Sequence, residues 1–315
     1  MVRHFVDLFD LSADEARELL RRAGELKREH AEGVRAPYLP GRTLGLIFEK
    51  PSLRTRVSFE AAIAHLGGNA IFLRDEDVGM GKRESMRDFA RVISQYVDAL
   101  AVRTYSHSTV EELARHATVP IVNALSDAAH PCQAMGDMLT VQEALGRLEG
   151  LNLVFVGDGN NVARSLALAS GLLGVQFVLA APPGYEFPDD FRAAYRKKFG
   201  KLSLVVDHDP ANALLGADVV YTDVWASMGQ EHEAEQRRQA FEPFQVNEAL
   251  MARARPGAVF LHCLPAHRGE EVSTAVLEGN QSLVIPQAAN RLHFQKALLL
   301  WLMLDGWPET LGESV

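Results

Sequence analysis

A chain of 315 residues, 47% hydrophobic and 23% charged, carries enough apolar material for about two globular cores and is neither a fibrous nor a disordered sequence. Its net charge of −9 excludes a broad nucleic-acid-binding surface, so an anionic ligand would have to be met by arginines gathered locally. Cys132 and Cys263 form no CxxC pair or disulfide framework, no apolar run approaches the roughly 20 residues of a membrane span, and Asp7 arrives before a signal-peptide core could form, so a cytoplasmic protein with free thiols is expected.

In chain order, Ser12 to Glu15 is a capping box, opening a helix with Ala16, Leu19, Leu20, Ala23 and Leu26 on one face. An apolar strand, Thr43 to Phe48, runs into Pro51-Ser52-Leu53-Arg54-Thr55-Arg56 and then a helical stretch with Phe59, Ile63 and Leu66. The first N–H groups of a helix have no internal partners; with the hydroxyls of Ser52 and Thr55 and the guanidinium forks of Arg54 and Arg56, this turn predicts a phosphate cradle. The competing reading is a plain Ser N-cap followed by solvated arginines. Gly67-Gly68 ends that helix, and there follow a strand Ala70 to Leu73, a polar loop Asp75 to Ser85, a helix Met86 to Tyr96, a strand Ala99 to Val102, a helix Thr109 to Ala117 and a strand Val119 to Val122.

A second series starts after Gly146 to Gly150 with the apolar strand Leu153 to Val156, which enters Gly157-Asp158-Gly159-Asn160-Asn161. A dinucleotide fingerprint would need a third glycine where Val162 stands and an acid after the next strand, where Leu179-Ala180-Ala181-Pro182 is found, so no nucleotide cofactor is expected. Further strands are predicted at Phe177 to Ala180, Leu204 to Val206, Val219 to Tyr221 and Val259 to Leu261, and a final helix at Ala288 to Leu304. Alternating strands and helices imply an α/β protein with parallel sheets covered on both faces, here two Rossmann-like doubly wound domains. The expected boundaries are residues 1–146 with the C-terminal helix 288–315 packing back on them, and residues 147–287.

Ligands of such sheets bind beyond the carboxyl ends of the strands, and the residues that can do chemistry fall there: Arg103, His130-Pro131-Cys132-Gln133, Asp223 and His262-Cys263-Leu264-Pro265. Singly, each has a bland reading as a surface charge, a helix-start histidine, a cap or a small core residue; their convergence on strand ends favours a site.

Together with Ser52-Leu53-Arg54-Thr55-Arg56, Gly157-Asp158-Gly159-Asn160-Asn161 and Ser227-Met228-Gly229, these motifs resemble the aspartate/ornithine transcarbamylase family over essentially the whole chain, and Cys132, Ser227-Met228-Gly229 and the His262 motif are similar to its ornithine-specific branch. The resemblance implies carbamoyl transfer from carbamoyl phosphate to the δ-amine of L-ornithine, giving L-citrulline and phosphate, without metal or organic cofactor. Putrescine, acetylornithine and aspartate are the alternative acceptors; a nicotinamide dehydrogenase and a non-catalytic amino-acid-binding protein are competitors of other classes. It implies that Ser52, Leu53, Arg54, Thr55 and Arg103 hold the phosphate, and that Thr55, Arg103 and His130 donate to the carbamoyl oxygen. By the same likeness, Gln133 and the Leu264 carbonyl accept from the carbamoyl NH₂, Arg291 is a further donor-substrate ligand, and Cys263 lies where donor and amine meet. Asn161, Asp223, Ser227 and the Met228 backbone are implied to bind ornithine. The family forms trimers or multiples of trimers, with no nucleic acid and no membrane involved. Most ornithine-branch members place Gln or His where Gly79 aligns; here the resemblance implies that Lys82 reaches a neighbouring subunit's phosphate instead, and the competing reading is a solvated basic loop.

Overall fold

The computed structural model describes residues 2–79, 83–200, 204–226 and 231–308. The chain divides into two compact units, Met1–Leu139 with Ala289–Val315 and Thr140–Ala288. Each is built on a wholly parallel sheet.

In the first unit the strands β1 (Thr43–Phe48), β2 (Asn69–Arg74), β3 (Ala99–Arg103) and β4 (Ile121–Leu125) lie in the order β2-β1-β3-β4. β1 and β3 are buried almost throughout, as central parallel strands covered on both faces must be, whereas edge strand β2 alternates between exposed and half-buried. The Ser12 capping box closes as its sequence predicts, opening helix Ala13–Ala31 with Ala16, Leu19, Leu20, Ala23 and Leu26 buried. Several boundaries differ from the sequence reading. Strand pairing in β4 begins at Ile121 because Pro120 has no N–H to give a ladder. Helix Met86–Ile93 stops short of Tyr96, where the Ser94 hydroxyl turns back to the Ala90 carbonyl at 2.6 Å. The polar loop after β2 holds one helical turn, Asp75–Val78. The last helix runs Val284–Met303, starting before Ala288 with Pro286 in its first turn, where a missing N–H costs nothing. Its Phe294, Ala297, Leu298, Leu299 and Leu300 are fully buried in the first unit.

Three histidines cluster around the same helix, His293 buried and His30 and His65 half-buried. The His30 ring lies 5.0 Å from that of His65 and 5.2 Å from that of His293, beside Lys296, whose Nζ donates to the Leu26 carbonyl at 3.3 Å. Burial first, then the charge of Lys296, pushes the His293 ring down to about 3, while burial pushes Lys296 down to about 8. A ring that resists protonation in the fold but titrates near 6.5 when unfolded stabilises the fold fully above pH 6.5. That contribution is lost as pH falls toward 3, at about 1.4 kcal/mol per pH unit per proton. The urea-unfolding free energy of wild type minus that of His293→Asn should therefore fall by about this slope between pH 6 and pH 4. A difference that does not change with pH would show that His293 is protonated in the fold.

In the second unit β5 (Asn152–Val156), β6 (Gln176–Ala180), β7 (Val205–Asp207), β8 (Val219–Thr222) and β9 (Val259–His262) lie in the order β7-β6-β5-β8-β9. Phe155 and Tyr221 stack on one face at 5.4 Å, and on the other a cluster including Val154, Val220, Trp225, Phe241 and Phe260 forms the core. Both sheets are doubly wound, with strand order reversing between β1 and β3 in the first and between β5 and β8 in the second. Those two reversals, where neighbouring connections leave in opposite directions and open a crevice, are where ligands of such sheets bind.

Candidate functional site

At the first reversal, β1 leads into the Ser52 turn and β3 ends on Arg103. Ser52 is the extended N-cap of helix Leu53–His65; its hydroxyl accepts from the Thr55 N–H at 3.4 Å and donates to Thr55 Oγ1 at 3.0 Å. Arg291 Nη2 donates to the same Thr55 Oγ1 at 2.8 Å. With both lone pairs taken, the Thr55 hydroxyl has its own proton left to offer. Arg54 is exposed and makes no ion pair among the described residues, whereas Arg56 is committed elsewhere: its Nε donates to Glu60 at 2.9 Å and its guanidinium lies 3.8 Å from the Phe72 ring centroid. The cradle therefore has one free fork, Arg54, and not the two read from the sequence. Leu53, at the helix start, points its side chain to solvent and can contribute only its backbone.

Arg103, His130, Gln133 and Arg291 are all buried beside this turn, at 7%, 5%, 1% and 4% exposure. Gly136 eases the approach of Arg291, since a Cβ there would stand 3.3 Å from the Arg291 Cγ. Burial, then the charges of Arg291 and Arg103, hold the His130 ring well below the usual histidine range, so it is a neutral N–H donor between two cations. Gln133 Nε2 donates to Asp137 at 2.8 Å, which fixes the way its amide points. Its Oε1, also buried, meets no hydrogen-bond partner among the described residues. An oriented, unspent acceptor next to guanidinium and imidazole donors suits a ligand carrying an NH₂ group beside its carbonyl and phosphate. Cys132 is sealed in, with its thiol against the Asn123 carbonyl and pushed up by burial to about 12, and is chemically inert.

The second reversal gathers the residues after β5, β8 and β9. Asp223 follows β8 with 8% exposure; its Oδ1 accepts from the Cys263 thiol at 3.0 Å and the Val224 N–H at 2.8 Å, and its Oδ2 accepts from Asn160 Nδ2 at 3.1 Å. Asn160 is also the N-cap of helix Asn161–Leu173, with its Oδ1 on the N–H groups of Val162 and Ala163 at 2.9 Å. Asn161, which the resemblance implies as an ornithine ligand, lies half-buried beside it; Asn160, which holds Asp223, carries no signal of that contact in the sequence. Asp158 was missed too: its carboxylate accepts from Arg237 at 2.9 Å, and Arg237 also holds the Trp225 carbonyl at 3.1 Å. Burial pushes the Asp158 carboxyl up to about 6 against the pull of Arg237, with nearby Asp223 adding to the rise. Leu264 takes a φ of 59° before a cis bond to Pro265. Ser227, Met228 and Lys82 lie outside the described residues.

Two alternatives fail on geometry. At Gly159 a Cβ would meet the backbone N–H of Phe187 at 2.7 Å, so the close approach that a dinucleotide's pyrophosphate would use is already taken by the chain itself. Asp223, His262 and Cys263 bring one possible metal ligand each within 4.8 Å of one another, but His262 has both ring nitrogens engaged, Nδ1 by the Leu264 N–H at 2.9 Å and Nε2 by Glu271 at 3.1 Å. No lone pair of that ring remains for a metal.

Comparison with known proteins agrees with this geometry. The carbamoyl-P binding domain model of the aspartate/ornithine carbamoyltransferases matches residues 3–143, and their Asp/Orn binding domain model matches residues 149–302. The chain is 51% identical over 304 residues to an ornithine carbamoyltransferase of Anoxybacillus flavithermus and 49% identical over 306 residues to the anabolic ornithine carbamoyltransferase of Pyrococcus furiosus, spanning 96% of both partners in each case. The solved Pyrococcus furiosus ornithine carbamoyltransferase superposes with a TM-score of 0.92 over 96% of this chain and 97% of that one, and the Thermus thermophilus ornithine carbamoyltransferase, 45% identical, with a TM-score of 0.87 over 96% and 100%. With two parallel sheets, motifs at both strand-order reversals and matches that span nearly its whole length, the chain belongs to the aspartate/ornithine carbamoyltransferase family.

Proposed function

We propose that this protein carbamoylates the δ-amine of L-ornithine with carbamoyl phosphate, releasing L-citrulline and phosphate in arginine metabolism. The observation that carries the reading is Asp223, a nearly buried carboxylate held by the Asn160 amide and the Cys263 thiol, in a chain half identical to ornithine carbamoyltransferases. The donor half of the reaction belongs to residues 1–146 with 288–315, and the acceptor half to residues 147–287; Arg291 bonded to Thr55 supports placing the last helix with the donor.

In this reading the phosphate lies on the N–H groups from Ser52 to Thr55 with Arg54 and Arg103. The carbamoyl oxygen takes hydrogen bonds from the Thr55 hydroxyl, Arg103 and His130, and the carbamoyl NH₂ donates to Gln133 Oε1 and the Leu264 carbonyl. The ornithine α-carboxylate meets Asn161, the α-ammonium meets Asp223 and Ser227, and the Met228 backbone completes the grip. The neutral δ-amine beside Cys263 then attacks the carbamoyl carbon. A C–N bond forms, negative charge gathers on the oxygen that the fixed donors face, the C–O bond to phosphate breaks and the nitrogen gives up a proton. None of these steps calls for a metal or an organic cofactor.

The assembly we propose is a homotrimer or a multiple of it, with Lys82 supplied to a neighbouring subunit's phosphate. Leu53, Val57 and Ile71, at 76%, 51% and 46% exposure on helix Leu53–His65 and edge strand β2, support a subunit contact on that side of the first unit. No described helix is long and apolar enough to cross a membrane, and a cytoplasmic location fits the free thiols.

Acceptor choice tests the function. Phosphate release from carbamoyl phosphate should be fast with ornithine and lower by roughly 10- to 150-fold with acetylornithine, which leaves the Asp223 carboxylate without its cation, or with putrescine, which keeps that ammonium but lacks the carboxylate that would meet Asn161. Equal rates with acetylornithine would refute the assignment.

A further inference from the structure

Glu271 is wholly buried, and nothing in the proposed reaction uses it. Its Oε1 lies 3.1 Å from His262 Nε2 and accepts from the His267 N–H at 2.6 Å. His262, 1% exposed at the end of β9, meets the Leu264 N–H through Nδ1 at 2.9 Å. A backbone N–H can only donate, so Nδ1 must present its lone pair; a carboxylate can accept, so Nε2 carries the proton. Moving that proton to Nδ1 would set two donors against each other and leave the Nε2 lone pair facing a carboxylate oxygen, so both bonds fail together. The strand end is fixed independently: the His262 N–H donates to Gln287 Oε1 at 2.9 Å, and Gln287 Nε2 donates to the Tyr221 hydroxyl at 3.2 Å.

We propose that Glu271 is a positioning residue for the acceptor chemistry, selecting the His262 tautomer that holds the Leu264 N–H and so aiming the Cys263 thiol and the Leu264 carbonyl. Leu264 sits at φ 59°, a left-handed conformation that a leucine keeps only where its surroundings hold it. The bond from its N–H to His262 is such a hold, and Cys263, between the two residues it joins, delivers its sulfur to Asp223 at 3.0 Å. A loop tie alone could be made by any acceptor. Glutamine in place of Glu271 could turn its NH₂ to the ring and support the other tautomer; a carboxylate cannot.

The inference rests on the proposed ornithine reaction, and its test separates the two. Three variants are needed, Glu271→Met, Glu271→Gln and His262→Asn, the last because an asparagine carbonyl can accept from Leu264 N–H without any tautomer to select. In Glu271→Met, kcat with ornithine should fall by roughly 10- to 100-fold, the scale of a small misplacement of reacting groups. Carbamoyl phosphate affinity by calorimetry should fall far less than kcat, since all of its proposed ligands that carry the phosphate belong to the first sheet and only the Leu264 carbonyl to the second. In the ¹⁵N spectrum of histidine-labelled protein, His262 should move from the Nε2–H form toward a mixture; Glu271→Gln should show an intermediate change in both readouts and serves if the methionine variant does not fold. In the His262→Asn background, Glu271→Met should have little further effect on kcat. An unchanged spectrum, an unchanged kcat, or the same loss in both backgrounds would overturn the proposal and leave Glu271 as a loop anchor. A wild-type protein inactive with ornithine but showing the tautomer change would instead overturn the function.

Discussion

Replacing Asp223 by asparagine is expected to lower kcat/KM for ornithine by roughly 10²- to 10⁴-fold, the range of a positioned group that manages protons and charge on a reacting amine. The carboxylate accepts on both oxygens, from Asn160 Nδ2 at 3.1 Å and the Cys263 thiol at 3.0 Å. An asparagine there can accept at one end only; its NH₂ must face either the Asn160 amide or the Val224 N–H, so one donor–donor conflict is unavoidable. The negative charge that would meet the α-ammonium is lost as well, and a free alkyl amine, protonated up to about pH 10 like lysine, loses the group that biases it. Carbamoyl phosphate binding should be largely preserved, because the residues proposed for its phosphate follow β1 and β3 and do not touch Asp223. Steady-state kinetics beside donor calorimetry decides the matter; a variant with near-normal ornithine kinetics would remove Asp223 from the acceptor site.

His130→Asn should lower kcat by roughly 10²- to 10³-fold, the loss seen when one donor is removed from a preorganised oxyanion site. Burial and the two neighbouring guanidiniums hold the His130 ring well below the usual range, so it stays neutral from pH 6 to 9. It therefore adds no positive charge toward the ground-state phosphate, and donor affinity should change much less than kcat. The sign of the pH effect follows: the form that works is present above the depressed value and is lost only in acid. Over pH 6 to 9 the kcat profile of the variant should run parallel to that of wild type. A profile whose shape changes in this range would mean that His130 titrates there, which its burial between Arg103 and Arg291 forbids.

The alternation of strands and helices was legible because it is written in local periodicity, and the site because each motif follows a strand end: Ser52 after β1, Arg103 at the end of β3, Asp223 after β8, Cys263 after β9. What stayed hidden depends on distances that sequence spacing does not encode. Arg237 meets Asp158 from 79 residues away, and Asn160 rather than Asn161 turns to cap its helix and to hold Asp223. The second fork of the cradle was misjudged for another reason. Arg56 and Glu60 stand four apart on one helix, a spacing that announces an ion pair in the sequence itself, and that local partner won over a phosphate. The late start of β4 follows from Pro120, equally visible; the early start of the last helix does not, since Pro286 in its first turn reads as a break until the helix is known to begin at Val284.

The placement of helix Val284–Met303 has a consequence for biosynthesis. When Leu139 leaves the ribosome, all four strands of the first sheet exist, but the helix that fills its core with Phe294, Leu298 and Leu299 and brings Arg291 to Thr55 does not. About 150 more residues must be translated first, roughly 7 to 30 s at 5–20 residues per second. Through that interval the apolar surface that those side chains cover stands bare and Thr55 lacks its bond from Arg291, an exposure that an uninterrupted domain would not present. A stop codon just beyond the second unit would spare every residue of that unit and still leave the first without Phe294, Leu298 and Leu299.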